Sequence, residues 1–241
     1  MIHVNRIDKP LVLQRHGQRW LADLQEAIEN FNQIITTSNT TTSTKKLAKN
    51  KVARAQQKYN HKEIKLALIE MFHGKCAYCE SLITVVTYGN IEHYYPKSKY
   101  IDKTFEWENM LLACDICNNP RHKGSKFPID PDGKPLLLDP TSEVTDPNTH
   151  LRFIWDERAG LASVYGSDTR GQVVESVFDL NGIRGRKDLV RARSSHVKQL
   201  MILLKFAQNG NQEAISILQD ACKPDAPYSA FALAYIAPNL P

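Results

Sequence analysis

Two short cysteine knuckles constrain this chain more than anything else in it. Cys76-Ala-Tyr-Cys79 and Cys114-Asp-Ile-Cys117 take four of its five cysteines. A two-residue gap lets both sulfurs of a knuckle face one ion at about 2.3 Å, and two knuckles complete a tetrahedral zinc shell. The N-terminus, Met1-Ile2-His3-Val4-Asn5-Arg6, lacks the apolar core of a secretory signal, so zinc is expected here rather than a disulfide framework. A thioredoxin-like reading needs one such pair, not two. Cys222, alone near the C-terminus, reads as a small hydrophobe on a helical stretch.

The 34 residues between the knuckles exceed the spacing of a simple zinc ribbon, and they are chemically loaded. Ile83 to Tyr88 is a β-rich run and Gly89-Asn90 a turn signal, which makes Ile91 to Tyr95 the return strand, carrying Glu92 and His93. A helix is expected to start at Cys114 and run through Asn119. The knuckles would then hold a hairpin base and a helix start together, a compact ββα unit with little core of its own. Phosphodiester hydrolysis needs a base for water and a cation at the phosphate. Neutral His93 can be that base, and Glu92 and Asn118 offer the oxygens that hard Mg²⁺ or Mn²⁺ accepts. Asn109 can bond backbone across the loop and orient His93. His122 competes with Asn118 for its role, and Asn119, one residue further round the helix, should face away. Arg121, Lys123 and Lys126 beside this site, with Lys97, are candidate phosphate contacts. Trp107 reads as core; of Tyr94 and Tyr95, one should pack inward and the other outward.

The flanks read as mostly helical. Trp20, Leu21, Leu24, Ala27, Ile28, Phe31 and Ile34-Ile35 recur at three-to-four spacing, a core-facing stripe. Thr36 to Thr44 reads as a loop, Lys45 to Tyr59 as a basic helix, and Asn60 as the N-cap of a helix ending at His73-Gly74. Leu151–Trp155 and Leu161–Tyr165 form a separate hairpin, followed by helices. The charge is uneven: eight Lys or Arg stand between Lys45 and Lys65 against one acid, and a second basic run spans Arg184 to Lys205. Such runs either neutralise phosphate or form a solvated helix face. No stretch approaches the ~18–20 apolar residues of a membrane span, and a cytoplasmic location is expected. The fold class expected is α+β: a mostly helical chain around a small zinc-stabilised ββα core, with an additional hairpin. Its regions are 1–59 helical, 60–130 the core, and 131–241 hairpin and helices.

Read together, Cys76-Ala-Tyr-Cys79, Glu92-His93-Tyr-Tyr-Pro96-Lys97-Ser98, Trp107-x-Asn109-x-Leu-Leu and Cys114-x-x-Cys117-Asn118 resemble the HNH endonuclease signature. The likeness is closest to the PtuB-type HNH effectors of Septu and retron anti-phage systems. Tyr59-Asn-His61, Phe72-His73-Gly74-Lys75 and Lys126-Phe127-Pro128 match around the motif as well. The resemblance implies an endonuclease with His93 as general base, Glu92 and Asn118 at a catalytic Mg²⁺ or Mn²⁺, Asn109 as the middle triad residue and a structural Zn²⁺ on the cysteines. It also implies a nucleic-acid substrate, DNA or RNA, and an ABC/SMC-like ATPase partner of PtuA type, with a retron reverse transcriptase as a further associate. Glu92 stands where relatives more often have Asp, and Asn118 where many have His. A zinc-knuckle binding module without cleavage activity would keep the cysteines and the basic runs, but would not need Glu92, His93 or Asn118.

Overall fold

The computed structural model describes residues 1–241. In chain order the elements are α1 (Leu11–Thr36), α2 (Thr42–Gln56), α3 (Lys62–Met71), β1 (Asn90–His93), β2 (Met110–Ala113), α4 (Asp115–Asn118), α5 (Pro147–His150), β3 (Leu151–Asp156), β4 (Leu161–Gly166), α6 (Thr169–Phe178), α7 (Lys187–Gln208), α8 (Gln212–Ala221) and α9 (Ser229–Tyr235), with short 3-10 turns between. The protein is mostly helical with two small sheets, β1–β2 and β3–β4. No helix is long and apolar enough to cross a membrane. Two compact units divide the chain: Ile7–Leu68 with Ile91–Leu111, and Met1–Arg6 with Ile69–Asn90 and Leu112–Pro241.

In the first of these units, α1 packs along α2. The apolar stripe of α1 is shallower than its periodicity predicts. Leu24 is fully buried, whereas Trp20, Leu21, Ala27, Ile28, Phe31 and Ile34 are half-buried and Ile35 is exposed. Packing along α2 covers only part of such a wide apolar face. Thr41 caps α2, its side chain accepting from the Thr44 amide. Past α2 the cap lies one residue beyond Asn60: His61 Nδ1 accepts from the Glu63 amide at 3.2 Å. The indole of Trp107 is buried and donates to the Ile7 carbonyl at 3.0 Å.

In the second unit, β3 and β4 form the expected antiparallel hairpin, Leu151 opposite Gly166 and Asp156 opposite Leu161. Helices α7, α8 and α9 pack around Leu200, Leu204, Leu218 and Ile236, with Cys222 half-buried against them. Two cations of the second basic run are structural. Arg193 is buried and donates through Nε and Nη2 to the Ala162 carbonyl, and burial pulls its pKa down to about 10. The other is Arg186, which reaches the cysteines.

The hairpin partner predicted for β1 is corrected by the structure. Ile83 to Tyr88 is not a strand. The Ile83 amide donates to the Gly74 carbonyl at 2.8 Å, and the Ile83 carbonyl accepts from Val86 and Thr87, closing a turn. Val85, Val86 and Tyr88 stand 73–81% exposed, so β propensity without a partner edge loses to local turn bonding. The partner of β1 is β2. The helix after the second knuckle is also shorter than expected. Asn119 is extended (ψ 163°), the conformation that Pro120 imposes on its predecessor, so α4 closes after one turn.

Candidate metal centre and catalytic residues

The knuckles bring four thiols together. The sulfurs of Cys76, Cys79, Cys114 and Cys117 all lie within 4.8 Å of one another, none is in a disulfide, and Cys79 and Cys114 are 3.9 Å apart. Four sulfurs at about 2.3 Å from one ion sit roughly 3.8 Å apart, so the cluster is close to the arrangement of a four-cysteine zinc shell. The second-knuckle amides support it: Cys114 N–H donates to Cys76 Sγ and Cys117 N–H to Cys114 Sγ, both at 3.4 Å. Hydrogen bonds from neighbouring cysteines hold the Cys79 and Cys114 thiols below their ordinary range, while burial pushes those of Cys76 and Cys117 up. Arg186, 8% exposed, donates through Nη1 to Cys117 Sγ at 3.4 Å and to the Phe178 carbonyl at 2.6 Å. Burial opposes its charge, but the adjacent thiolates outweigh that and strengthen it. This guanidinium would offset part of the negative charge of four thiolates on a divalent ion.

Glu92, His93 and Asn109 belong to the other unit, and all three are buried. His93 Nε2 lies 2.9 Å from the Thr104 carbonyl. A carbonyl only accepts, so Nε2 carries the proton and Nδ1 keeps the lone pair in the neutral ring. Asn109 ties the loop that presents this carbonyl. Its Oδ1 accepts from the Tyr95 amide at 2.6 Å, and its Nδ2 donates to the carbonyls of Tyr95 and Lys103 at 3.0 and 2.9 Å. Tyr94 is buried and Tyr95 half-buried. The Tyr59 ring meets His93 edge-on, centroids 4.6 Å apart, and Lys97 Nζ lies 5.0 Å from the Tyr59 centroid.

Asn118 is half-buried at the end of α4, in the unit that holds the cysteines, and its side chain makes no hydrogen bond within the chain. Asn119 does not simply face away: its Oδ1 accepts from the amides of Arg121 and His122 at 2.9 and 3.3 Å, holding the next turn. His122 is 7% exposed, with neither ring nitrogen hydrogen-bonded, and burial followed by Arg186 and Arg184 lowers its pKa. Arg121 and Lys126 are exposed, Lys126 reaching back to the Arg121 carbonyl at 2.8 Å. Lys123 is corrected: it is 0% exposed, out of reach of a phosphate at the surface. Three contributors carry no sequence signal for the roles they play. The Thr104 carbonyl is backbone, Arg186 lies far from the knuckles along the chain, and Tyr59 stands out only as a flank of the motif.

Residues 76–124 match the family described as HNH endonuclease, so this chain carries an HNH endonuclease domain built on the cysteine cluster. Two curated relatives are homologous over a longer stretch. The Septu protein PtuB of Bacillus mycoides (strain KBAB4) is 29% identical over 59% of this chain and 53% of its own length. The Septu protein PtuB of Bacillus thuringiensis is 30% identical over 61% of this chain and 53% of its own. The chain thus spans about half the length of these relatives. No solved structure matches it significantly.

Proposed function

We propose that this chain is a metal-dependent nuclease that hydrolyses nucleic-acid phosphodiester bonds, DNA ahead of RNA, as the effector of an anti-phage defence assembly. The observation that carries the reading is His93, buried inside the HNH match, with Nε2 2.9 Å from the Thr104 carbonyl, the tautomer whose Nδ1 can take a proton. Residues 60–130 form the nuclease core in this reading, with 1–59 and 131–241 as its helical flanks.

In this mechanism Nδ1 of His93 takes a proton from the attacking water, while Thr104 and Asn109 hold the ring in the tautomer that can accept it. Glu92 and Asn118 supply oxygen donors of the type that Mg²⁺ or Mn²⁺ accepts. A divalent ion bound through such donors would neutralise charge developing on the phosphate and the leaving oxygen. The four cysteines hold Zn²⁺ as a structural ion that joins the knuckles, and Lys97, Arg121 and Lys126 position the backbone through its phosphates. The two Septu relatives support the defence role, and with it an ATPase partner of the ABC/SMC-like class.

The test is to incubate the purified chain, alone and with such a partner, with plasmid DNA and with total RNA under Mg²⁺ and Mn²⁺. Metal-dependent cleavage of either polymer supports the reading. Intact substrates under every condition, with zinc-replete folded protein, would overturn it.

A further inference from the structure

We infer that α2 lies in the major groove of B-form duplex DNA, its cations reaching the phosphates on both walls, and that it leads this duplex to His93. The inference rests on the nuclease reading and names its substrate class. Helix α2 carries Lys45, Lys46, Lys49, Lys51 and Arg54 and no acidic residue, and none of these cations is in an ion pair. Their arrangement around the helix is what points to a groove. At about 100° per residue, Lys46 and Lys49 lie within about 60° of each other, as do Lys51 and Arg54. The two pairs diverge by about 140°, with Asn50 about midway between them. Lys46, Lys49, Asn50, Lys51 and Arg54 are all exposed, and Lys45 is half-buried. Opposite Asn50 are Ala48 and Ala55, the two buried residues of the helix, so the diverging pairs straddle the face turned outward.

A solvated helix face needs no such order. A helix in a groove about 12 Å wide does: long cations on each flank to meet the two phosphate walls, and shorter side chains between them facing the base edges. Asn50 and Ser43 occupy that middle strip, and both are exposed. The 15 residues of α2 are about 22 Å long, enough to lie along several base pairs of the groove. A-form RNA presents a major groove too deep and narrow for a helix, so this arrangement selects DNA. The chain then runs directly to the proposed base: α2 ends at Gln56, and three residues on the Tyr59 ring packs edge-on against His93, within the same unit.

The test reads binding, not cleavage, so a failure of the nuclease reading does not mimic a failure of this one. Full-length protein is titrated in magnesium-free buffer against a labelled 30-bp DNA duplex and the RNA duplex of the same sequence, between 50 and 200 mM salt. Replacing Lys46, Lys49, Lys51 and Arg54 together by Gln removes four phosphate contacts. The log–log salt slope on DNA should become shallower by about 3 to 4, with little change on RNA. The charge-conserving set K46R, K49R, K51R and R54K should keep the wild-type slope, which separates lost charge from lost structure. A slope on DNA within one unit of wild type in the Gln variant would overturn the inference. So would an equal loss on both duplexes, which marks a general polyanion surface, or no detectable DNA binding by the wild-type chain.

Discussion

Truncating Asn109 should cost both stability and the orientation of His93, and the structure sets the size of the first effect. The residue is 2% exposed, and its side chain makes three hydrogen bonds to backbone: the Tyr95 amide, the Tyr95 carbonyl and the Lys103 carbonyl. Asn109→Ala strands these three groups. A fully buried orphan costs roughly 1–3 kcal/mol. Tyr95 and Lys103 are half-buried, so water can reach some of what is exposed. The expected loss is therefore about 3–5 kcal/mol, near the upper end for a single substitution. Lys103 immediately precedes Thr104, whose carbonyl fixes the His93 tautomer, so cleavage should fall along with stability. Asn109→Asp keeps an acceptor for the Tyr95 amide and loses both donors, and should fall between wild type and Ala. Urea unfolding of the three proteins, with cleavage rates measured on the folded fraction, checks this. A loss below about 1 kcal/mol with unchanged activity would refute the bridging role.

Cys117→Ser should lower bound zinc below one equivalent per chain, measured by elemental analysis, and reduce soluble yield, because ligation supplies folding free energy to the two knuckles it joins. Asn118→Ala should raise the Mg²⁺ or Mn²⁺ concentration needed for half-maximal cleavage, with activity partly restored at saturation; an unchanged metal titration would point to His122 instead. Glu80→Gln should cost about 3–5 kcal/mol at neutral pH in thermal or urea unfolding, because it leaves Lys75 and the Met1 ammonium buried without their carboxylate. Burial works to raise the Glu80 pKa, but Met1 and Lys75 outweigh it and the carboxyl titrates below its usual range. Its contribution is thus present above the unfolded value of about 4.3 and lost as pH falls through the lower folded value, so the gap between wild type and variant should narrow in acid.

The parts of the site legible in sequence are those that covalent spacing determines. Two knuckles of two-residue gap can meet on one ion wherever the intervening chain goes, and Glu92-His93 and Asn109 stand out by their place in the sequence between the knuckles. Strand pairing is less legible. Ile83 to Tyr88 has the composition of a strand, yet pairing is decided by which edge is available, and β1 pairs with β2. Helical geometry turns Asn119 away from the site, but the helix ends one residue earlier, since Pro120 sets the backbone of its predecessor. Lys123 illustrates a limit of reading charge: its place in a basic segment suggests phosphate, and only three-dimensional packing reveals its burial. The Thr104 carbonyl and Arg186 lie beyond residue-type reasoning altogether, one being backbone and the other 69 residues from the sulfur it touches.

The base assignment is tested most directly by single-turnover cleavage of DNA by wild type and His93→Ala at saturating Mg²⁺, with zinc content and thermal unfolding measured on both. The ring's task is proton transfer from Nδ1, which added metal does not replace, so the variant should be folded, zinc-replete and inactive at every metal concentration. Cleavage by the variant at the wild-type rate would contradict the account and move the base to another group.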